Sequence, residues 1–163
     1  NRDKVKNRDK KFLAQIIATS CQAKAEIVAQ DSKEKGIRAL LNLGHSFAHS
    51  LEKETNYANI LNHGEAVSIG MCLAAEFSES LGLISNQEVQ QIIAHLKFFD
   101  MPTKIQDIDF AWKADNLFKN LFSDKKNKNN QLVFILMQGI GKSFISEEIN
   151  AQEVEKFIKN KIN

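Results

Sequence analysis

Apolar residues recur at helical spacing along most of this 163-residue chain. The buried face of a helix repeats every three to four residues, whereas a half-buried strand alternates between apolar and polar positions. The pattern predicts helices, in chain order, over residues 12–30, about 35–54, 63 to about 81, 87–100, 107–122 and 151–162. Gly82 is expected to end the third helix, Asn86 to cap the fourth, and Pro102 to follow its end.

Strand character is confined to residues 131–137 and 142–148, and the intervening Gln-Gly-Ile-Gly predicts a β-hairpin. The sequence has neither a strand–helix–strand unit nor a glycine-rich phosphate loop, so we expect no dinucleotide-binding domain in it. The predicted fold class is mostly α with one small β-hairpin near residues 131–148. Residues 12–163 are expected to form one helical domain, which is long enough for a hydrophobic core.

Composition is that of an ordinary globular protein, with 43% hydrophobic residues, 26% charged residues and a net charge of +2. Residues 1–11 carry six Lys or Arg and two Asp, and we expect a basic, frayed terminus or loop remnant there. They lack aromatic side chains for base stacking, so no nucleic-acid partner is expected. No apolar run approaches about 18 residues, so no membrane partner is expected either. Cys21 and Cys72 have no metal-binding spacing and are expected to be buried, reduced thiols of a cytoplasmic protein.

Four polar residues, Arg38, Asn42, His45 and His49, share one stripe of the second predicted helix. The steps between them are 4, 3 and 4 residues, so at about 100° per residue they fall within roughly 60° of arc. His63 follows His49 by 14 residues, and packing of the two helices would bring it beside His45. Imidazoles near a guanidinium group and an amide favour a site for a metal and an anion. The alternative is a hydrogen-bonded core histidine together with a helix cap.

The charged residues near this stripe have ordinary explanations as well. Glu65 follows Asn62 by three residues, which favours a capping box over metal ligation. Lys24 lies in the apolar stripe of the first helix and either extends to solvent or shares a bound anion with Arg38. Glu34 lies one turn before Arg38 and either orients its guanidinium group or forms a simple surface pair.

The string RALLNLGHSFAHSLE followed by HGEAVSIGM closely resembles the 3-dehydroquinate synthase family, whose pattern is RxLLNxGHxxGHAxE and then HGEAVxxGM. The segments CQAKAEIVAQDSKEKGIRAL and DKK…GIGKS resemble the same family in the same order, so the resemblance covers about residues 12–148. One departure is Ala48, where the family usually has Gly. The resemblance implies the family's helical C-terminal domain, without the N-terminal NAD-binding domain.

The resemblance also implies roles for individual residues. His45 and His63 match two zinc ligands, and His49 matches a catalytic histidine near the substrate's phosphate and hydroxyl groups. The positions that match substrate contacts are Lys24, Arg38, Asn42 and one of Lys125 and Lys126, and the position of a supporting carboxylate is Glu34. The family's third zinc ligand is a Glu of an upstream AEVIK-like motif, which this chain lacks, and catalytic zinc usually needs three protein ligands.

For the whole enzyme the resemblance implies an NAD-dependent and zinc- or cobalt-dependent carbon–oxygen lyase of the shikimate pathway. It would convert a phosphorylated sugar acid, 3-deoxy-D-arabino-heptulosonate 7-phosphate, to 3-dehydroquinate and phosphate, and it would be a homodimer. We expect this chain alone to be inactive. Two alternatives stay open: a related sugar-phosphate cyclase domain, and a non-catalytic remnant that serves as a helical binding or assembly module.

Overall fold

The structure is a computed structural model that describes residues 1–34, 36–56, 60–122 and 133–162. In these residues the α-helices are α1 (Arg2–Lys6), α2 (Lys10–Gln30), α3 (His45–Glu54), α4 (His63–Ser80), α5 (Asn86–Phe98), α6 (Ala114–Phe122) and α7 (Ala151–Ile162). Two 3₁₀ helices span Ile37–Asn42 and Ile105–Asp107, and the strands are β1 (Phe134–Met137) and β2 (Ser143–Ser146). The strands pair antiparallel, with Phe134 opposite Ser146 and Met137 opposite Ser143. The predicted class, mostly α with one small β-hairpin, is confirmed.

The chain divides into two compact units, Asn1–Leu41 and Asn42–Asn163. The first unit is built mainly from α2, where the Asp9 side chain accepts a hydrogen bond from the Phe12 N–H at 2.9 Å. That bond satisfies one of the free amides that every helix leaves at its start. The basic segment expected at residues 1–11 contains α1 and the first residues of α2, and its boundary stays a prediction.

None of the side chains of α2 is buried, although the helix carries an apolar stripe. Ile17 is 62% exposed, and Cys21 is exposed as well. The only other α-helix in this unit, among the residues described, is the five-residue α1, which is too short to cover a helix of 21 residues. The expectation of a buried thiol is therefore wrong for Cys21, whereas Cys72 on α4 is buried as expected.

Four phenylalanine rings meet at the centre of the second unit. Phe47 comes from α3, Phe77 from α4, Phe134 from β1 and Phe157 from α7, and all four are buried. The measured pairs have ring centroids between 5.0 and 6.4 Å apart in tilted or edge-to-face arrangements. Such pairs add to the free energy gained by burying the rings. This aromatic cluster fixes α3 and α4 against the same core.

The predicted helix over residues 35–54 is wrong in its first half. The structure has the 3₁₀ helix Ile37–Asn42 and starts α3 only at His45, after Gly44 with φ of 81°. A Cβ on Gly44 would collide with the backbone of α4, and a Cβ on Gly70 would collide with the Gly44 carbonyl. Because α3 and α4 approach this closely, the chain needs a left-handed glycine where the periodicity predicted continuous helix.

Capping side chains also correct two predicted boundaries. Ser85, and not Asn86, caps α5, because the Ser85 side chain and Glu88 form a reciprocal capping box and Asn86 is already helical. α6 starts at Ala114 and not at residue 107. Asp107 instead accepts hydrogen bonds from the backbone N–H groups of Thr103 and Lys104, at 2.8 and 3.0 Å, and closes the short 3₁₀ turn.

None of the described helices is long and apolar enough to cross a bilayer.

Candidate metal and substrate site

Three imidazole rings come together where α3 and α4 meet. The ring centroids of His45 and His63 are 5.6 Å apart, those of His45 and His49 are 5.7 Å apart, and those of His49 and His63 are 6.5 Å apart. His45 and His49 are one turn apart on α3, and His63 is the first residue of α4. The structure therefore places His63 beside His45, as expected from the sequence.

One face of α3 is apolar and packs in the core, and the histidines lie outside that face. Phe47, Ala48 and Leu51 are 3%, 0% and 1% exposed, whereas His45 and His49 are only partly buried. Ala48, where the family pattern has Gly, is buried in the core. Its methyl group does not interrupt α3, which is continuous from His45 to Glu54. The core face thus fixes the orientation of the histidine face.

The position of His63 at the start of α4 is set by the predicted capping box. The Glu65 N–H donates to Asn62 Oδ1 at 3.0 Å, and the Asn62 N–H donates to Glu65 Oε2 at 3.0 Å. The Glu65 carboxylate is therefore engaged with the backbone at the helix start. The preference for capping over metal ligation at this position agrees with the structure.

Glu52 is a residue of the site that sequence reasoning missed. It lies on α3, three residues after His49, and its Oε1 is 2.9 Å from Nδ1 of His63. The Glu52 side chain is 11% exposed, whereas that of His63 is 62% exposed. A signal was present, because Glu52 is the last residue of the string RALLNLGHSFAHSLE and lies on the histidine face of its helix.

Arg38 is held by groups of its own unit. Its Nη1 donates to the Ser32 carbonyl at 2.9 Å, and its Nε lies 3.9 Å from Glu34 Oε2. Glu34 has a left-handed backbone with φ of 53°, so the contact is not that of two residues one turn apart on a helix. Asp31, which sequence reasoning also missed, accepts the Gly36 and Arg38 N–H groups at 2.8 and 3.1 Å. Glu34 therefore contacts Arg38 as expected, within a loop that Asp31 organises.

The other expected substrate contacts are Lys24, Asn42 and one of Lys125 and Lys126. Lys24 is exposed on α2 and makes no hydrogen bond or ion pair with another described residue. Asn42 ends the first 3₁₀ helix and is partly buried. Lys125 and Lys126 lie outside the described residues. Residues 37–42 form a 3₁₀ helix, and α3 starts only after Gly44. The prediction that Arg38, Asn42, His45 and His49 share one stripe of a single α-helix is therefore wrong.

The imidazole cluster has the donor chemistry of a zinc or cobalt site but not a full set of ligands. Among the residues that the structure describes, no group of three or more His, Cys, Asp or Glu is arranged to hold a metal ion. Imidazole nitrogens suit zinc and other first-row transition metals, and catalytic zinc usually takes three protein ligands. The cluster therefore fits part of such a site, and metal ligation by His45 and His63 stays a prediction.

The chain matches the family model described as 3-dehydroquinate synthase C-terminal over residues 1–127. It is 47% identical to the 3-dehydroquinate synthase of Agrobacterium fabrum (strain C58) and 51% identical to that of Bartonella bacilliformis, each over 149 residues. Each comparison covers 90% of this chain and 40% of the relative. The chain thus spans about two fifths of the length of the curated relatives that it matches.

Solved structures of two other enzymes share the fold. A 2-epi-5-epi-valiolone synthase from Streptomyces hygroscopicus subsp. jinggangensis 5008, with NAD⁺ and Zn²⁺ bound, has a TM-score of 0.78 at 22% identity. That match covers 98% of this chain and 43% of the synthase. A 2-deoxy-scyllo-inosose synthase complexed with carbaglucose-6-phosphate, NAD⁺ and Co²⁺ has a TM-score of 0.74 at 24% identity, and covers 93% of this chain and 41% of that protein. At these identities the likeness concerns the fold alone.

Proposed function

Because this chain belongs to the family of 3-dehydroquinate synthase C-terminal domains, we propose that it provides the metal-binding and substrate-binding part of that enzyme's active site. The observation that supports this most directly is the cluster of His45, His49 and His63, whose ring centroids are 5.6 to 6.5 Å apart. The chain spans only two fifths of its relatives, so the complete reaction is proposed for the whole enzyme and not for this chain alone.

In this proposal His45 and His63 are two ligands of a zinc or cobalt ion. Their rings come from different helices that share one core, so the pair is held in place before a metal arrives. The bound metal would act as a Lewis acid that lowers the pKa of a substrate hydroxyl group. The third protein ligand is expected from another part of the enzyme.

The remaining residues would bind the substrate and move protons. His49 lies beside both proposed ligands and would transfer protons near the leaving phosphate. Arg38, held by Glu34, would bind an anionic group of the substrate through its planar guanidinium group. The other proposed substrate contacts are Lys24, Asn42 and one of Lys125 and Lys126.

For the whole enzyme we propose conversion of 3-deoxy-D-arabino-heptulosonate 7-phosphate to 3-dehydroquinate and phosphate, with NAD bound by another domain and a homodimeric assembly. The identity of 47–51% with 3-dehydroquinate synthases supports this substrate over those of other sugar-phosphate cyclases. The NAD⁺ and the Zn²⁺ or Co²⁺ bound in the two structural neighbours support the proposed cofactors. This chain alone would not catalyse the reaction.

A zinc titration of the chain tests the metal site. We expect zinc to raise the melting temperature and to bind measurably by calorimetry, because a ligand that binds only the folded state stabilises it. His45→Ala should abolish both effects by removing one of the two imidazole ligands. His95→Ala is the matched control, since His95 lies on α5 against Phe99 and outside the cluster.

A zinc effect that is absent, or that His45→Ala leaves intact, would contradict the proposed metal site. It would favour the alternative of a helical binding or assembly module.

A phosphate-release assay with substrate, NAD and zinc tests the need for a further domain. Release of phosphate by the chain alone would contradict that part of the proposal.

A further inference from the structure

The contact between Glu52 and His63 has the geometry of a carboxylate that holds a histidine ring. Oε1 of Glu52 is 2.9 Å from Nδ1 of His63, across the junction of α3 and α4. A carboxylate can only accept a hydrogen bond, so Nδ1 of His63 is the donor. In a neutral imidazole the proton on Nδ1 leaves the lone pair on Nε2, and that nitrogen is then available to a metal.

Because Glu52 is buried and His63 is exposed, we expect Glu52 to constrain the His63 ring and not the reverse. Glu52 is 9% exposed, and its helix is fixed by Phe47, Ala48 and Leu51 on the core face. A buried carboxylate is costly unless a hydrogen-bond donor or a cation satisfies it, so its position constrains the ring that it contacts. The exposed part of the pair is His63, whose ring also lies beside those of His45 and His49. Glu52 therefore sets the orientation of the ring.

We propose that Glu52 is a positioning residue, which accepts the Nδ1–H of His63 and so presents Nε2 of that ring to the metal. The inference rests on the proposed function, because it takes His63 to be a ligand. Metal-binding histidines commonly donate their second N–H to a carboxylate, and loss of that partner typically weakens metal affinity by about 10–100-fold. A different role for Glu52 would be only to tie α3 to α4.

Three variants separate these roles: Glu52→Ala, Glu52→Gln and Glu54→Gln. Glu54→Gln is the matched control, because Glu54 lies on the same helix and bonds to Asn116 at 2.8 Å, away from the histidines. The first measurement is the ¹⁵N NMR tautomer of His63 in the metal-free chain, at a pH where the ring is neutral. The second is the zinc dissociation constant by calorimetry.

In the wild-type chain we expect His63 to carry its proton on Nδ1. Glu52→Ala should move the proton toward Nε2, as in free histidine, and should weaken zinc binding by about 10–100-fold. Glu52→Gln keeps an acceptor oxygen, so it should retain more of the Nδ1–H form and lose less affinity. Glu54→Gln should match the wild type in both measurements. If Glu52→Ala does not fold, the comparison of Glu52→Gln with Glu54→Gln decides the question.

The outcomes distinguish this inference from the proposed function. Zinc binding that His45→Ala abolishes but that neither Glu52 variant weakens would overturn the positioning role and leave the metal site standing. An unchanged His63 tautomer in Glu52→Ala would overturn it as well. Failure of the wild-type chain to bind zinc at all would overturn the proposed function, and the positioning role with it.

Discussion

At the residue scale, the position of His63 depends on the hydrogen bonds of two carboxylates, Glu65 and Glu52. The Asn62–Glu65 pair satisfies two backbone amides at the start of α4 and so fixes where His63 begins the helix. Glu52 then fixes how the His63 ring is turned. One carboxylate therefore supports the helix that carries the histidine, and a second supports the histidine itself.

The two cysteines should differ sharply in reactivity. Cys72 is fully buried, and its burial, together with the Glu76 and Asp107 carboxylates, raises the pKa of its thiol to about 12. The thiolate is the nucleophile, so almost none of Cys72 is reactive at neutral pH. Cys21 is exposed on α2. We expect a maleimide at pH 7 to label the native chain once, at Cys21, and the unfolded chain twice, by intact-mass spectrometry.

Cys21→Ser is the control for this assignment and should leave the native chain unlabelled. Rapid native labelling of the Cys21→Ser chain would show that Cys72 is accessible. That result would contradict the packing of α4 in the core. The test needs no metal, substrate or second domain, so it reports on the fold alone.

At the element scale, the close approach of α3 and α4 determines the shape of the histidine cluster. We expect Gly70→Ala to lower the free energy of unfolding by about 1–3 kcal/mol, because overpacking forces neighbouring backbone to move. The added Cβ would collide with the Gly44 carbonyl and lie 3.1 Å from Ala48 N. Urea denaturation measures this loss. Zinc affinity should fall as well, since α3 carries His45.

Gly64→Ala is the matched control, on the same helix and next to His63. Its Cβ would lie 3.4 Å from Asn62 Oδ1, and Gly64 is exposed, so no backbone has to move. A gain of up to about 1 kcal/mol is expected there, since Ala is a better helix former than Gly. Equal effects of the two substitutions would mean that α3 and α4 are not packed this tightly.

The same two helices show what a sequence can and cannot predict. The start of α4 was predictable because a capping box is a local pattern, with Asn62 and Glu65 three residues apart. The break at Gly44 was not, because it depends on Gly70, which is distant in sequence. The Glu52–His63 contact spans 11 residues and two helices, so it too required the fold. Periodicity located the histidine face but not the residue that orients it.

At the scale of the whole molecule, burial is distributed very unevenly between the two compact units. α4 has ten buried residues among 18, whereas α2 has none among 21. Most helical stability in proteins comes from packing of an apolar face and not from the helix itself. The apolar face of α2 has Ile16 and Ile17 at 38% and 62% exposure.

We therefore expect amide hydrogen exchange to be much slower in α4 than in α2. The difference should be on the order of 100-fold or more, because α4 opens only with its core whereas α2 can open locally. Exchange followed by mass spectrometry on peptides from 63–80 and 10–30 measures it, and the buried strand β1 serves as a second protected reference. Equal protection at every protein concentration would contradict the local instability of α2. Protection of α2 that rises with concentration would instead indicate that its apolar face pairs with another copy, and a Ile17→Ser chain should then lose that rise.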